Sequence, residues 1–168
     1  MPGDEREILT WTRFGESNRE LATVIRLSGY RPDLVVAIAR GGMLFAGGLA
    51  YALGIKACDA LNIEFYTGIG ETLPEPEILA PHLDLDSLAG AKVLLVDDVA
   101  DSGRTLRLAV DLLAERAAQV RSAVLYTKPT TIIQPDYTWA TTDRWIVFPW
   151  SAEPPVGDLG SESAAVPV

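Results

Sequence analysis

Residues 93–105 constrain the fold and the chemistry of this chain more than any other segment. An apolar run at 93–96 leads directly into the paired acids Asp97 and Asp98, and a third acid, Asp101, opens a short turn of small residues. A helical pattern starts after this turn. An apolar run of this length suits a strand that is buried on both faces of a parallel sheet. The segment therefore predicts a buried strand followed by an acidic turn and a helix.

The same order of strand, polar turn and helix appears elsewhere in the chain. Thr10 can cap a first helix, and Gly29 and Gly54 can end the first and second helices. Strands alternating with helices predict an α/β fold, in which a parallel sheet is flanked by helices. Ligands of such sheets bind at the carboxyl ends of the strands, where the two polar turns of this chain fall. Strands are predicted at 33–38, 61–66, 92–96 and 120–126, short strands within 137–149, and helices at 10–27, 43–53 and 105–117.

Two segments lack a clear period. Residues 67–86 are rich in Gly, Pro and acidic residues, and they predict a long surface loop with room for a short strand near Ile78. Loops of this length in compact domains are usually functional lids or disordered. His82, the only histidine, is predicted to be exposed in this loop, which leaves no histidine-based metal cluster or catalytic triad. Residues 154–168 have the composition of a disordered tail, so the predicted domain spans 1–153.

Charge and composition exclude several classes of function. The 168 residues carry a net charge of −9, which argues against general nucleic-acid binding because that function requires surplus Lys and Arg. No apolar run approaches the roughly 20 residues of a membrane span, and the polar start does not resemble a signal peptide. The single cysteine, Cys58, can form no internal disulfide and is interpreted as a small apolar filler. We therefore expect a cytoplasmic protein without a nucleic-acid or membrane partner.

The acidic turn has the groups that a sugar phosphate requires. Backbone N–H groups at a helix start can bind a phosphate, and Ser102 and Thr105 add hydroxyl donors. Asp97 and Asp98 can accept hydrogen bonds from a sugar diol or hold a divalent cation. The alternative is a purely structural turn, in which Asp101 or Ser102 caps the following helix. A single ribose phosphate would satisfy the whole set of side chains.

This segment closely resembles the ribose-phosphate signature of the type I phosphoribosyltransferases, since the paired acids, the third acid, the glycine and the threonine all fall in register. The resemblance implies a parallel sheet flanked by helices, with a small C-terminal hood region. It also implies that Asp97 and Asp98 bind the ribose hydroxyls of phosphoribosyl pyrophosphate, and that Asp98 contacts Mg²⁺. The 5′-phosphate would be bound by Asp101, Ser102, Gly103, Arg104 and Thr105.

Residues 34–42 resemble the pyrophosphate loop of the same family. They end in Arg40, Gly41 and Gly42. Glycine lets the backbone approach an anion closely, and an arginine can grip a pyrophosphate with two hydrogen bonds. The alternative is an ordinary strand-to-helix turn that happens to contain an arginine.

A third resemblance concerns the base. Lys128 at a strand end, followed by the segment 143–150, resembles the bacterial xanthine–guanine phosphoribosyltransferases, which act on 6-oxopurines. By this resemblance Lys128 donates to the six-position oxygen, Trp145 stacks on the purine, and Ile146 offers its backbone to the pyrimidine edge. The alternative is that the tryptophans belong to the core and that Lys128 is solvated; for Trp139 and Trp150 we expect the core.

The implied reaction is a pentosyl transfer in purine salvage, with Mg²⁺ as cofactor. Arg40 would stabilise the leaving pyrophosphate, Asp101 would act as general base, and the loop 66–81 would close as a lid. Two departures from the family stand out: Ser151 lies where a metal-assisting carboxylate is usual, and the loop contains no Lys or Arg. A regulatory protein that binds phosphoribosyl pyrophosphate, or a transferase for another base, stays open as an alternative. A homo-oligomer, dimer or tetramer, is expected.

Overall fold

The described residues of a computed structural model, 5–68, 71–79 and 83–157, form helices and strands in alternation. The helices are α1 (Trp11–Leu27), α2 (Gly41–Leu53) and α3 (Arg104–Ala114), with a 3-10 helix at Leu85–Leu88. The strands are β1 (Glu7–Ile8), β2 (Leu34–Ala39), β3 (Cys58–Gly68), β4 (Glu71–Leu79), β5 (Lys92–Ala100), β6 (Gln119–Thr127), β7 (Tyr137–Thr141) and β8 (Ile146–Val147).

Six of these strands form one sheet in the order β4-β3-β2-β5-β6-β7. Strands β3, β2, β5, β6 and β7 run parallel, and β4 pairs antiparallel with β3 at one edge. Strands β1 and β8 form a separate parallel pair. The predicted parallel sheet flanked by helices is therefore confirmed. No helix among the described residues is both long and apolar enough to span a membrane.

Strand β5 lies in the middle of the sheet and is buried on both faces. Leu94 and Val96 point into a core shared with α1 and α2. Val93 and Leu95 point into a second core, which α3 completes. Side chains of a strand alternate between the two faces, so an unbroken apolar run is what this position requires.

The predicted helix ends are confirmed at the N-terminal half of the chain. The Thr10 hydroxyl accepts a hydrogen bond from the N–H of Arg13 at 3.2 Å and caps α1. Gly54 ends α2 with a positive φ of 73°, a conformation that costs glycine little. Gly29, two residues after α1, has a φ of 81°.

The prediction of a long loop at 67–86 is wrong for most of its described residues, whereas the short strand predicted near Ile78 is confirmed as part of a longer one. Strand β3 continues to Gly68, and β4 occupies 71–79, with shifts of register between the two. Prolines and glutamates in β4 hide the strand pattern, but an edge strand tolerates both, because one side of its backbone needs no partner. The predicted lid function of 66–81 stays a prediction.

Other sequence predictions need smaller corrections. The acids of the predicted turn, Asp97 and Asp98, lie inside β5, which extends to Ala100. Cys58 is exposed at the start of β3, so it is not a core filler. His82 and the tail residues 158–168 lie outside the described residues.

Candidate active site

The candidate site residues gather at the carboxyl ends of three neighbouring strands. Arg40 directly follows β2, the acid pair lies two residues before the end of β5, and Lys128 directly follows β6. These strands are adjacent in the sheet, in the order β2-β5-β6. Because they are parallel, their carboxyl ends share one edge, as the sequence predicts for a ligand site.

The acid pair lies in a poorly solvated position. Asp97 is only 8% exposed, and its carboxylate oxygen Oδ1 accepts a hydrogen bond of 2.9 Å from the backbone N–H of Asp98. Burial, together with the neighbouring charge of Asp98, raises the pKa of Asp97 well above its usual value. Burial also raises the pKa of Asp98. Hydroxyl donors or a cation would stabilise the charged form of both groups, which fits the predicted diol or metal ligand.

The glycines of the predicted pyrophosphate loop pack directly on this acid pair. A Cβ atom on Gly41 would overlap the carboxylate of Asp98. A Cβ atom on Gly42 would lie 2.5 Å from the carbonyl oxygen of Val96 and 3.0 Å from the Cα of Asp97. Arg40 is exposed at the N-terminus of α2, and the Ala39–Arg40 peptide bond is cis. Gly41 and Gly42 therefore lie beside the acids.

The turn after β5 is held by a main-chain hydrogen bond from a neighbouring loop, and its acid does not cap α3. Gly103, with a φ of 79°, is the N-cap residue of α3 and has no side chain to accept a capping hydrogen bond. The alternative that Asp101 or Ser102 is the N-cap residue is thus wrong, although the Ser102 hydroxyl accepts from the N–H of Arg104 at 3.4 Å. The N–H of Ile132 donates to the Ser102 carbonyl at 2.9 Å. Asp101 and Ser102 remain exposed at the mouth of the site.

A cavity of about 540 Å³ lies between the acidic turn after β5 and residues 143–150, here named the tryptophan segment. Trp145 is 75% exposed, so its ring is accessible to a ligand. The ammonium group of Lys128 donates to the backbone carbonyl of Arg144. Trp139 and Trp150 pack against the main core, as predicted. The cavity is lined by Val99, Asp101, Lys128, Pro129, Thr130, Asp143, Trp145, Ile146, Phe148 and Ser151.

Sequence reasoning missed several features of this site. Asp143 lines the cavity, although no role was predicted for this acid at the start of the segment 143–150. The acceptor for Lys128 is the main-chain oxygen of Arg144, and a carbonyl carries no sequence signal. Ser151, identified as a departure from the family, also lines the cavity and presents a neutral hydroxyl there.

The acid pair fits a divalent cation that takes most of its ligands from a substrate. Among the described residues, no group of three or more His, Cys, Asp or Glu is arranged to hold a metal ion. Asp97 and Asp98 offer carboxylate oxygens, the ligand type that Mg²⁺ prefers, but too few to complete its coordination. Mg²⁺ usually keeps several waters and is held by one or two carboxylates together with substrate phosphates.

Comparison with known proteins gives a consistent set of relatives. Residues 4–155 match the family described as the phosphoribosyl transferase domain. The xanthine-guanine phosphoribosyltransferase of Ruegeria sp. (strain TM1040) is 34% identical over 161 residues, which cover 89% of this chain and 88% of that protein. The enzyme of the same name from Cereibacter sphaeroides is 34% identical over 157 residues, covering 89% of each chain. The crystal structure of a purine phosphoribosyltransferase from Pyrococcus horikoshii superimposes with a TM-score of 0.76 at 34% identity, covering 90% of this chain and 97% of that one.

Proposed function

Because this chain belongs to the phosphoribosyltransferase family, we propose that it transfers the 5-phosphoribosyl group from phosphoribosyl pyrophosphate to a 6-oxopurine base. The products are a nucleoside 5′-monophosphate and pyrophosphate, as purine salvage requires. Hypoxanthine, guanine and xanthine are the candidate bases. Two relatives that share 34% of their residues with this chain are named for xanthine and guanine, which supports this choice.

One observation carries the proposal: a single cavity is lined by residues of three segments that are distant in sequence. Asp101 comes from the turn after β5, Lys128 from the end of β6, and Trp145 from the segment before β8. The exposed ring and the ammonium group offer what a flat oxo-substituted base needs, namely an apolar face and a hydrogen-bond donor. Asp101 connects this cavity to the turn that would bind the 5′-phosphate.

The donor substrate would lie along the ends of β5 and β2. Asp97 and Asp98 accept hydrogen bonds from the ribose hydroxyls, and the first N–H groups of α3 bind the 5′-phosphate together with Ser102 and Thr105. Asp98 would hold Mg²⁺, which when bound neutralises charge on the diphosphate. The cation would reduce the repulsion between the carboxylates of the acid pair and the polyanionic donor.

The leaving group would be held by the loop at the start of α2. Arg40 and the N–H groups of Gly41 and Gly42 stabilise the charge that grows on pyrophosphate as the bond from C1 to oxygen breaks. A new bond forms between C1 and the nine-position nitrogen of the base. Asp101 accepts the proton that the base loses and acts as general base.

The base would be selected by two contacts and oriented by a third. Lys128 donates to the six-position oxygen, which a six-amino group cannot replace, because it would present a donor to a donor. Trp145 stacks on the ring, and the backbone of Ile146 meets the pyrimidine edge. The neutral hydroxyl of Ser151 lines the same cavity and leaves a second metal site without a carboxylate there.

A turnover screen tests the proposal. Purified protein is incubated with phosphoribosyl pyrophosphate, Mg²⁺ and one of hypoxanthine, guanine, xanthine, adenine or uracil, and nucleotide formation is measured. We expect turnover of at least one 6-oxopurine and little or none of adenine and uracil. Binding of phosphoribosyl pyrophosphate without turnover of any base would favour the regulatory alternative. Preferred turnover of uracil or adenine would refute the base assignment.

The assembly and setting of the protein are part of the same proposal. We infer a homo-oligomer, dimer or tetramer, from the exposed apolar side chains of α2, where Met43 is 51% and Tyr51 is 93% exposed. We infer a cytoplasmic setting because Cys58 is the only cysteine. Light scattering coupled to size-exclusion chromatography measures the first directly, and a monomer at micromolar concentration would contradict it.

A further inference from the structure

The N-terminal residues of the chain are bonded to the segment that lines the proposed base cavity. The N–H of Glu7 donates to the carbonyl of Trp145 at 2.9 Å, and the N–H of Leu9 donates to the carbonyl of Val147 at 3.0 Å. In the parallel pairing of β1 and β8, Glu7 lies opposite Ile146. The chain thus returns, over 136 residues from Leu9 to Trp145, to hold the tryptophan segment from outside.

This pairing decides which way the backbone of Ile146 faces. In a parallel pair of strands, every second residue points its N–H and C=O groups towards the partner strand. The residues between them point these groups away from that strand. Because Glu7 bonds to Trp145 and Leu9 to Val147, the N–H and C=O of Ile146 point away from β1. Ile146 also lines the cavity, and its pairing with β1 leaves both groups free of that strand.

Two side chains of the same N-terminal residues contact Arg144 and Tyr126, which are close in sequence to residues that line the cavity. Glu5 forms an ion pair of 2.8 Å with Arg144, whose main-chain carbonyl accepts the hydrogen bond from Lys128. Glu7 accepts a hydrogen bond of 3.4 Å from the hydroxyl of Tyr126, which is 1% exposed and lies two residues before Lys128 in the chain. The N-terminal residues therefore contact the elements that carry both the proposed donor and the proposed stacking ring.

We propose that Glu5, Glu7 and Leu9, here named the N-terminal clamp, position Trp145, Ile146 and Lys128 for base recognition. This inference rests on the proposed function. The clamp residues line no part of the base cavity, so they act through the residues that they hold. A segment fixed before the base arrives loses less conformational freedom on binding, and affinity for the base rises accordingly. The donor substrate gains nothing from the clamp, because its proposed ligands lie on β5, β2 and α3.

A purely structural role for β1 predicts a different outcome. If β1 only stabilised the domain, loosening it would lower stability and reduce the active fraction, leaving both Michaelis constants unchanged. A positioning role instead raises the Michaelis constant for the base and leaves that for phosphoribosyl pyrophosphate in place. It also weakens the discrimination between 6-oxo and 6-amino bases, since Lys128 is less well fixed.

Two proline substitutions in β1 separate the effect of losing the hydrogen bond to Trp145 from the general effect of a proline in this strand. Glu7→Pro removes the N–H that donates to Trp145, whereas Ile8→Pro removes an N–H that takes no part in the pairing with β8. Glu7→Gln keeps the backbone bond and changes only the contact with Tyr126. Glu5→Gln removes the ion pair to Arg144 without any change of backbone, and Glu16→Gln removes a similar exposed ion pair, with Arg13, on α1.

We expect Glu7→Pro to raise the Michaelis constant for the base about 2- to 12-fold, the equivalent of one lost hydrogen bond. Glu5→Gln should raise it about 1.4- to 5-fold, the range for an exposed ion pair. Ile8→Pro and Glu16→Gln should leave it unchanged, and the constant for phosphoribosyl pyrophosphate should stay within about twofold in every variant. Equal effects of Glu7→Pro and Ile8→Pro, or equal changes in both Michaelis constants for Glu5→Gln, would overturn the clamp.

Amide hydrogen exchange gives a readout that does not require turnover. The clamp predicts faster exchange in a peptide covering 143–149 in Glu7→Pro, relative to Ile8→Pro and to the unchanged protein. If the unchanged protein turns over no purine and exchange still follows this order, the proposed function fails while the clamp stands as the holder of the tryptophan segment. If purines are turned over and exchange at 143–149 does not differ between the two proline variants, the clamp is wrong.

Discussion

Gly42 lies so close to the end of β5 that a Cβ atom on it would sit 2.5 Å from the carbonyl oxygen of Val96. The backbone of Gly42 and the carbonyl of Val96 both belong to the packed interior, so neither can move aside at low cost. The start of α2 and the acid-bearing strand therefore share one wall. This contact explains why a glycine is needed at the third position of the Arg40–Gly41–Gly42 motif, apart from any ligand.

Gly42→Ala should destabilise the protein by about 1–3 kcal/mol, the cost of forcing an extra carbon into a packed interior. It should also weaken phosphoribosyl pyrophosphate binding, since the loop must shift away from the acid pair. Gly47→Ala on the same helix is the control, because its Cβ would meet nothing within 4 Å. That control should stabilise by up to about 1 kcal/mol through helix propensity. Urea unfolding and a titration with the donor measure both, and equal stability of the two variants would contradict the packing argument.

Much of this fold follows from sequence because its local signals agree with its packing. The run before Asp97 predicts a strand buried on both faces, and β5 is one. Thr10 and Gly54 mark helix ends through cap chemistry that depends on a few neighbouring atoms. The site could be placed for the same reason, since its motifs sit at strand ends that a parallel sheet brings to one edge.

The parts that could not be predicted depend on contacts distant in sequence. Strand β4 pairs with β3 although its own sequence favours a loop, so tertiary pairing overrides propensity there. Strand β1 has two residues, too few for any period to appear, and it is defined only by its partner β8. The group that accepts the hydrogen bond from Lys128 is the main-chain carbonyl of Arg144. Every residue has such a carbonyl, so only the folded geometry distinguishes this one.

Asp97→Asn should stabilise the ligand-free protein at neutral pH. Burial and Asp98 raise the pKa of Asp97, so the folded protein keeps a proton that the unfolded chain loses at about pH 3.9. The contribution of Asp97 to the free energy of unfolding is therefore at its maximum below that pH. It is lost as the pH rises towards the raised pKa of the folded state. Asparagine cannot ionise, and its carbonyl oxygen can still accept the hydrogen bond from the N–H of Asp98.

The measurement is the unfolding free energy from urea titrations between pH 4 and pH 8, without donor or Mg²⁺. The stability gain of Asp97→Asn should grow with pH, while affinity for the donor with Mg²⁺ falls. Asp33→Asn, on an exposed carboxylate at the opposite end of the sheet, is the control. A gain that is independent of pH would show that the charge of Asp97 carries no penalty.

Asp101→Asn should lower kcat more than it weakens donor binding. Asp101 is exposed at the mouth of the site and does not cap α3, so neither burial nor capping explains an acid in the turn proposed to bind the 5′-phosphate. Loss of a general base typically lowers the rate by about 10²–10⁴-fold. Steady-state kinetics with the preferred purine, alongside donor affinity by calorimetry, measure the two effects. An unchanged kcat would remove Asp101 from the chemistry.

Lys128→Ala and Trp145→Ala should affect base binding in different ways. Loss of the ammonium group should weaken 6-oxopurines and leave adenine analogues unaffected, because only the oxo group accepts its hydrogen bond. Loss of the indole should weaken every base by about 1–3 kcal/mol, the usual range for stacking. Val24→Ala, at an exposed apolar position on α1, controls for general surface effects. Identical affinity profiles for the two variants would contradict their separate roles.

Arg40→Ala should raise the Michaelis constant for phosphoribosyl pyrophosphate and lower kcat together, with free purine binding unchanged. The reason is the local balance of charge. The chain carries a net charge of −9, the segment 66–81 contains no Lys or Arg, and Ser151 contributes no carboxylate for a second cation. In the proposed site, Arg40 at the N-terminus of α2 would then share most of the neutralisation of pyrophosphate with Mg²⁺. Losing one partner of a desolvated charge pair costs about 2–5 kcal/mol.

Arg104 is the competitor for this role, because it begins α3 directly after the turn proposed to bind the 5′-phosphate. Inhibition by the product pyrophosphate separates the two arginines, since only the residue that grips the leaving group should change the inhibition constant. Arg40→Ala should raise that constant, whereas Arg104→Ala should mainly weaken binding of the nucleoside monophosphate through its 5′-phosphate. Arg107→Ala, exposed on the next part of α3, controls for the loss of one positive charge in an acidic protein. If Arg104→Ala raises the pyrophosphate constant and Arg40→Ala does not, pyrophosphate binds at α3, and the loop at the start of α2 serves only to pack against β5.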